Sequence, residues 1–198
     1  MKIYGNVASG NCQKVRLVAD YLGLDYAWVP IDIMKGESRT ADYLARFPQG
    51  QVPALALDDG RCLSQSNAIM RYLARGSSLL PDDAWAQAKI DEWLFWEQYS
   101  HEPYIAVCRF QMVYQAKPRE AREAWRVERG EKALDLMNSE LAEREWLAAG
   151  TFSIADIALM PYSRLAHEGG FDLWTRRHVT AWIARCEQAL RLGRACGT

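Results

Sequence analysis

From Cys12 to Leu22 the apolar positions Val15, Val18, Ala19 and Leu22 recur at three- and four-residue intervals, which predicts a helix with one buried face. Gly23 stands where the C-cap of that helix would fall. Lys2–Gly5 and Tyr26–Ile31 read as short strands on either side of it, and Thr40–Arg46 as a short helix. Ala54–Leu57 and Arg61–Leu63 flank Asp58-Asp59-Gly60, and Asp-Gly between two apolar runs signals a hairpin. Ser66–Arg75 reads as a helix ending before Gly76. The first 76 residues are therefore expected to fold β-α-β-α-β-β-α, an α/β unit with a mixed four-stranded sheet.

The pattern changes once, near residue 78. Gly76-Ser77-Ser78 and the following Leu79-Leu80-Pro81-Asp82-Asp83 read as a linker, and almost everything beyond is helical. Trp85–Tyr114 is one long helical stretch with Pro103 as the expected kink. Arg119–Arg144 is a second, opened by Pro118 and rich in Glu/Arg pairs. Ser153–Leu165 is a third. Val179–Leu192 is a fourth, with Trp182, Ile183 and Cys186 on one face. The expected organisation is an α/β domain over 1–76, a linker over 77–84 and an all-α domain over 85–198, without internal repeats.

Charge narrows the function. With 24 Lys+Arg against 25 Asp+Glu the net charge is −1, which excludes nucleic-acid binding driven by bulk positive charge. No apolar run approaches the roughly 20 residues that cross a bilayer, and Met1-Lys2-Ile3-Tyr4-Gly5 enters a strand pattern without a leader, so the expected address is the cytoplasm. Five scattered cysteines, Cys12, Cys62, Cys108, Cys186 and Cys196, form neither a disulfide framework nor a paired zinc spacing. His101, His167 and His178 lack metal-site spacing. Reduced thiols and no metal are expected.

Three features of the first half carry candidate chemistry. In Gly50-Gln51-Val52-Pro53-Ala54 a proline enters an apolar strand. It is either a plain strand-entry proline or a cis one that turns the Val52 N–H and C=O outward to pair with an extended peptide. In Leu63-Ser64-Gln65-Ser66-Asn67 polar side chains stand at the mouth of a helix. Ser66 either caps that helix or joins its first-turn N–H groups in holding a carboxylate. In Ser9-Gly10-Asn11-Cys12 a hydroxyl, an amide and a thiol collect beside another helix N-terminus, as a cap or as a site.

Together these segments resemble the glutathione transferase family along essentially the whole chain, in particular its theta- and zeta-like, serine-type, bacterial-style members. Gln51-Val52-Pro53 followed by Gln65-Ser66-x-Ala68-Ile69 carries the likeness most strongly. Asp32-x-x-Lys35-Gly36-Glu37 is similar to the segment before the second helix of theta-like members. Phe152-Ser153-Ile154-Ala155-Asp156 resembles the family's helix-capping box, with Ser153 capping and Asp156 reaching back to its N–H.

The resemblance implies a thioredoxin-like N-terminal domain and a helical C-terminal domain, with glutathione as co-substrate and a small hydrophobic electrophile as its partner. Val52 would pair its backbone with the cysteinyl unit of glutathione. Gln65 and Ser66 would hold the γ-glutamyl end, and Gln51 with Lys35 or Arg39 the glycyl end. Ser9 falls where the activating serine stands in such members; Tyr4 is the tyrosine-type alternative. Asn11 would donate its amide to the sulfur. Cys12 is either a small apolar filler or the nucleophile of a redox variant acting as thiol transferase or peroxidase. The electrophile pocket is expected between the domains, near Tyr104 and Arg109. The family further implies a homodimer, with Ala88–Trp96 as a suitable apolar helix. A non-catalytic interaction module is the reading from a different class.

Overall fold

Ile3, Tyr4 and Gly5 are buried in succession, as a strand covered on both faces requires. In the computed structural model, which describes residues 1–192, strand β1 (Lys2–Gly5) is an inner strand of a four-stranded sheet of order β2-β1-β3-β4. β2 (Ala27–Pro30) runs parallel to β1, with Lys2 opposite Ala27 and Gly5 opposite Pro30. A parallel pair needs a crossover, and α1 (Gly10–Tyr21) supplies it. β3 (Ala54–Ala56) is antiparallel to β1, and β4 (Cys62–Ser64) closes the predicted hairpin against β3. α2 (Ala41–Arg46) precedes β3, and α3 (Ser66–Ala74) follows β4. The sheet is mixed, as expected. Cys196 lies outside the described residues, as does the end of the expected 85–198 domain; Cys12, Cys62, Cys108 and Cys186 are free thiols.

The chain divides into a unit over Met1–Leu80 and another from Pro81 onward. Aromatic packing centres part of the first: Tyr4, Tyr43, Phe47 and Ala54 cluster with Val52 and Val29 against them. The Phe47 ring lies 5.3 Å from that of Tyr4 and 5.0 Å from that of Tyr43. Gly5 is required where it stands, because a Cβ there would lie 2.6 Å from the Trp28 ring and 3.0 Å from Cys12 Sγ.

In the second unit the stretch expected as one long helix is α4 (Ala84–Trp96), a π-helical segment (Glu97–His101) and α5 (Glu102–Val113). The irregularity falls before Pro103 rather than at it. Pro103 is the second residue of α5, directly after the π-helical segment, and has no N–H to donate to that segment's carbonyls. The second predicted helix starts late, as α6 (Ala124–Glu143), and Arg119–Ala121 is a separate 3-10 turn. Arg122 explains the displacement, since its Nη1 donates to the carbonyls of Gly169 and Gly170, 47 and 48 residues away. α7 (Ile154–Arg164) and α8 (Arg177–Ala189) complete the unit.

Nearly all of α7 is buried, and its start is the capping motif predicted. Ser153 N–H donates to Asp156 Oδ2 at 3.0 Å, and Ala155 N–H donates to Ser153 Oγ at 3.3 Å. Burial pushes the Asp156 carboxyl up to about 6, against the hydrogen bonds from Leu147, Trp182 and Ser153 that favour its anion.

Candidate functional site

Ser9 is the N-cap of α1: its backbone is extended and its Oγ accepts the Cys12 N–H. At 3.5 Å that bond is long. Capping uses an oxygen lone pair, so the hydroxyl proton of Ser9 remains available to a second acceptor. The loop before it is held by Asn6, whose Oδ1 accepts the Ala8 N–H at 2.9 Å and whose carbonyl accepts the Ser9 N–H at 3.1 Å.

Cys12 is fully buried, and the Asn6 N–H points at its Sγ over 3.4 Å. Burial raises its thiol, outweighing the opposing pulls of Ser9, Asn6 and Lys14. Asn11, one residue earlier, is only partly buried. Its Oδ1 accepts from Ser66 Oγ at 3.3 Å and from Lys14 Nζ at 2.7 Å. The mouths of α1 and α3, 55 residues apart in sequence, are thus joined by a side-chain hydrogen bond.

The structure alters the expectation for Ser66. The cap position of α3 belongs to Gln65, with φ 73° and ψ 116°, and its side chain does not cap the helix. Ser66 is the first helical residue, so its hydroxyl is free to reach across to α1. The left-handed φ at Gln65 is one that a non-glycine residue adopts at a cost of about 1–3 kcal/mol, and such conformations cluster at ligand clamps. Gln65 Nε2 donates to Gln49 Oε1 at 2.8 Å, which ties the mouth of α3 to the loop before β3.

In that loop the Val52–Pro53 peptide is cis. Neither backbone polar group of Val52 hydrogen-bonds another described residue. Tyr43 fastens the preceding residue by donating its hydroxyl to the Gln51 carbonyl at 2.7 Å, while the Gln51 side chain is exposed.

The two candidates for the glycyl end separate. Lys35 closes a local turn: its ammonium pairs with Asp32 at 3.2 Å, Asp32 Oδ1 accepts the Met34 and Lys35 N–H groups, and Glu37 accepts the Asp32 N–H at 2.6 Å. Lys35 holds the Asp32 carboxyl below its ordinary range. The Asp32-x-x-Lys35-Gly36-Glu37 motif is thus a self-capping turn, with Gly36 at φ 76° ending it. Arg39 instead reaches the loop before Val52, with Nη1 3.5 Å from the Gln49 carbonyl and 2.7 Å from where a Cβ on Gly50 would stand.

Tyr4 packs rather than faces a site, and its hydroxyl accepts from Arg46 Nη1 at 2.7 Å. In the second unit Tyr104 is buried with its hydroxyl accepting from Arg129 Nη1 at 3.2 Å. Arg109 is paired within the second unit. It is buried, and its Nε donates to Glu168 Oε2 at 2.6 Å, so the guanidinium belongs to an internal ion pair. Sequence reasoning overlooked Lys14 and Asn6. Lysine reads as a solvated residue, although position 14 lies one turn before buried Val18.

Comparison with known proteins adds a family. Residues 8–75 match the model for the glutathione S-transferase N-terminal domain, and residues 95–189 the model for its C-terminal domain. Glutathione S-transferase 3 of Zea mays is 35% identical over 194 residues, covering 92% of this chain and 86% of that protein. The glutathione S-transferase GstA of Escherichia coli O157:H7 is 32% identical, covering 82% and 81%. The crystal structure of a glutathione S-transferase from Pseudomonas fluorescens is similar at a TM-score of 0.90 and 46% identity, covering 94% of each chain.

Proposed function

The chain belongs to the glutathione S-transferase family and is a glutathione transferase, and from that premise we propose that it is a serine-type member in which Ser9 activates the thiol of glutathione. A free thiol with pKa near 8.5 is only a few per cent ionised at pH 7. A downward shift of about two units makes the thiolate the main species and requires roughly 2.7 kcal/mol of stabilisation. The Ser9 hydroxyl proton, the Asn11 amide and the N–H groups at the mouth of α1 are the donors for that task. The thiolate then attacks the electrophilic carbon of a small hydrophobic substrate, and a leaving group departs or the adjacent atom takes up a proton.

The hydrogen bond between Ser66 and Asn11 carries this reading. It joins the loop that would activate sulfur to the helix mouth that would hold the γ-glutamyl carboxylate, where the Gln65 side chain does not cap the first turn. Gln65 belongs to the same clamp. Val52, with its unpaired backbone groups beside Pro53, suits the cysteinyl unit. For the glycyl carboxylate Arg39 and Gln51 are better placed than Lys35, whose charge serves Asp32.

Cys12, buried and held as a thiol, is read as packing rather than as a redox nucleophile. Tyr104 remains the candidate on the electrophile side. Exposure of Trp85 (75%) and Phe95 (76%) on α4 supports a homodimer, and no helix among the described residues is long and apolar enough to cross a membrane; the cytoplasm is the proposed address.

Calorimetric titration with reduced glutathione, combined with thiolate absorbance across pH, tests the reading. Binding with a thiol pKa well below 8.5, lost in Ser9→Ala, is the expected result; a titration identical in wild type and Ser9→Ala rules out Ser9.

A further inference from the structure

Lys14, in the second turn of α1, is 0% exposed. Lysine is almost never withdrawn from water so completely without a partner. Its Nζ donates at 2.7 Å to Oδ1 of Asn11, one turn back on the same helix. The Ser66 hydroxyl donates to the same oxygen at 3.3 Å. Two donors therefore converge on one carboxamide oxygen.

An ammonium has three donors and no acceptor, so it can hold only the oxygen end of the Asn11 amide. That fixes which way the amide faces: its NH2 end is turned away from both Lys14 and Ser66. Burial strengthens the lock, because a hydrogen bond from a charged donor is worth more where water does not compete.

We propose that Lys14 is a positioning residue for sulfur activation, holding the Asn11 carboxamide so that its NH2 donates toward the thiolate of glutathione beside the Ser9 hydroxyl. The proposal rests on the reading of Ser9 and Asn11 given above. Lys14 itself touches neither the sulfur nor the electrophile; it acts through Asn11, and Ser66 shares the load.

A double-mutant cycle tests this. Lys14→Met removes the donors with little change of volume, and Lys14→Gln restores an N–H donor without the charge. The readouts are the pH titration of bound glutathione thiolate and the separate kcat and KM, in the otherwise native chain and with Asn11→Ala. Lys14→Met is expected to raise the thiol pKa by about one unit and to lower kcat/KM roughly tenfold at neutral pH, mostly in kcat. Lys14→Gln recovers most of that loss. In the Asn11→Ala background Lys14→Met has no further effect on the titration, since its route to the sulfur is gone.

An equal penalty in both backgrounds, or a titration that Lys14→Met or Asn11→Ala leaves unmoved, overturns the proposal. Should Lys14→Met not fold, Lys14→Gln carries the test: a titration close to the native one supports it, and one as high as that of Asn11→Ala overturns it. A Ser9→Ala titration identical to the native one would instead sink the underlying Ser9 reading, which separates the two failures.

Discussion

The indole N–H of Trp182 donates to Asp156 Oδ1 at 2.9 Å, and both residues are sealed from solvent. The same carboxylate accepts the N–H groups of Leu147 and Ser153, each at 3.0 Å, and the Ser153 hydroxyl at 3.2 Å. One side chain thus anchors the start of α7, the segment before it and the middle of α8. Replacing Asp156 by alanine leaves several buried donors without an acceptor. At about 1–3 kcal/mol for an orphaned buried group, Asp156→Ala is expected to cost at least 3 kcal/mol. Thermal unfolding should fall by roughly 6–12 °C in a chain of this size; a fall of less than 2 °C contradicts the anchoring role.

Asp156 also gives stability a pH signature. Its carboxyl sits at about 6 in the folded chain against an ordinary 3.8, with burial as the main cause. Between those values the folded chain binds a proton that the unfolded chain does not, so this group's contribution to stability increases as pH falls from 7 toward 4. The gain is full below the unfolded value and is lost as pH rises through about 6. Its ceiling is about 3 kcal/mol, two pKa units at 1.36 each. Asp156→Asn, which cannot ionise, should lack this component. Denaturant melts of both proteins at pH 7 and 5 should show a difference that changes in this sense; a difference independent of pH rejects it.

For Ser9 the structural and chemical losses should part company. The cap bond to Cys12 N–H is 3.5 Å long, which puts its value at the low end for N-caps, about 0.5 kcal/mol. Loss of a donor aimed at a developing anion typically costs 10²–10³ in kcat. Ser9→Ala is therefore expected to unfold within about 2 °C of the native chain while its conjugation rate falls at least 100-fold. Comparable losses in both would mark Ser9 as a cap alone.

The cysteines should differ in reactivity according to burial. Cys62 is exposed, whereas Cys12, Cys108 and Cys186 are enclosed and burial raises the thiols of all three. Alkylation of the native protein followed by peptide mass spectrometry should label Cys62 before Cys12, Cys108 and Cys186, with Cys12 protected until unfolding. Cys12→Ala should keep conjugation within about threefold of native. Rapid labelling of Cys12, or loss of activity in that variant without loss of stability, would restore it as a reactive group.

Much of the fold was legible because it depends on local signals. Val15, Val18 and Ala19 mark the buried face of α1, Asp58-Asp59-Gly60 marks the hairpin, and Ser153 with Asp156 marks the start of α7. The misreadings occurred where distant residues decide. Arg122 finds its acceptors at Gly169 and Gly170, which nothing near Pro118 reveals, so α6 begins later than its composition suggests. Ser66 looks like a cap by type. β4 ends at Ser64 and α3 begins at Ser66, so the whole change of direction falls on Gln65 and displaces the serine into the helix. Ser9, Asn11 and Val52-Pro53 stand out in the sequence as loop positions with polar or constrained groups, but the burial of Lys14 does not, since it is a tertiary fact. The pairing of Arg109 with Glu168, 59 residues away, is likewise visible only in the folded chain.

The contact between Ser66 and Asn11 bears finally on how the enzyme tells one cellular thiol from another. Ser66 has one hydroxyl proton, and at rest it is spent on Asn11. On the reading proposed above, a thiol that arrives with a γ-glutamyl carboxylate would draw on the same residue that braces Asn11, so occupancy of one end of the tripeptide would be felt at the other. Cysteine or a simple alkyl thiol brings sulfur but nothing for that residue to hold. Discrimination against such molecules would then be exercised in turnover as well as in affinity, as truncated substrates show wherever distant binding helps to set up the reacting centre.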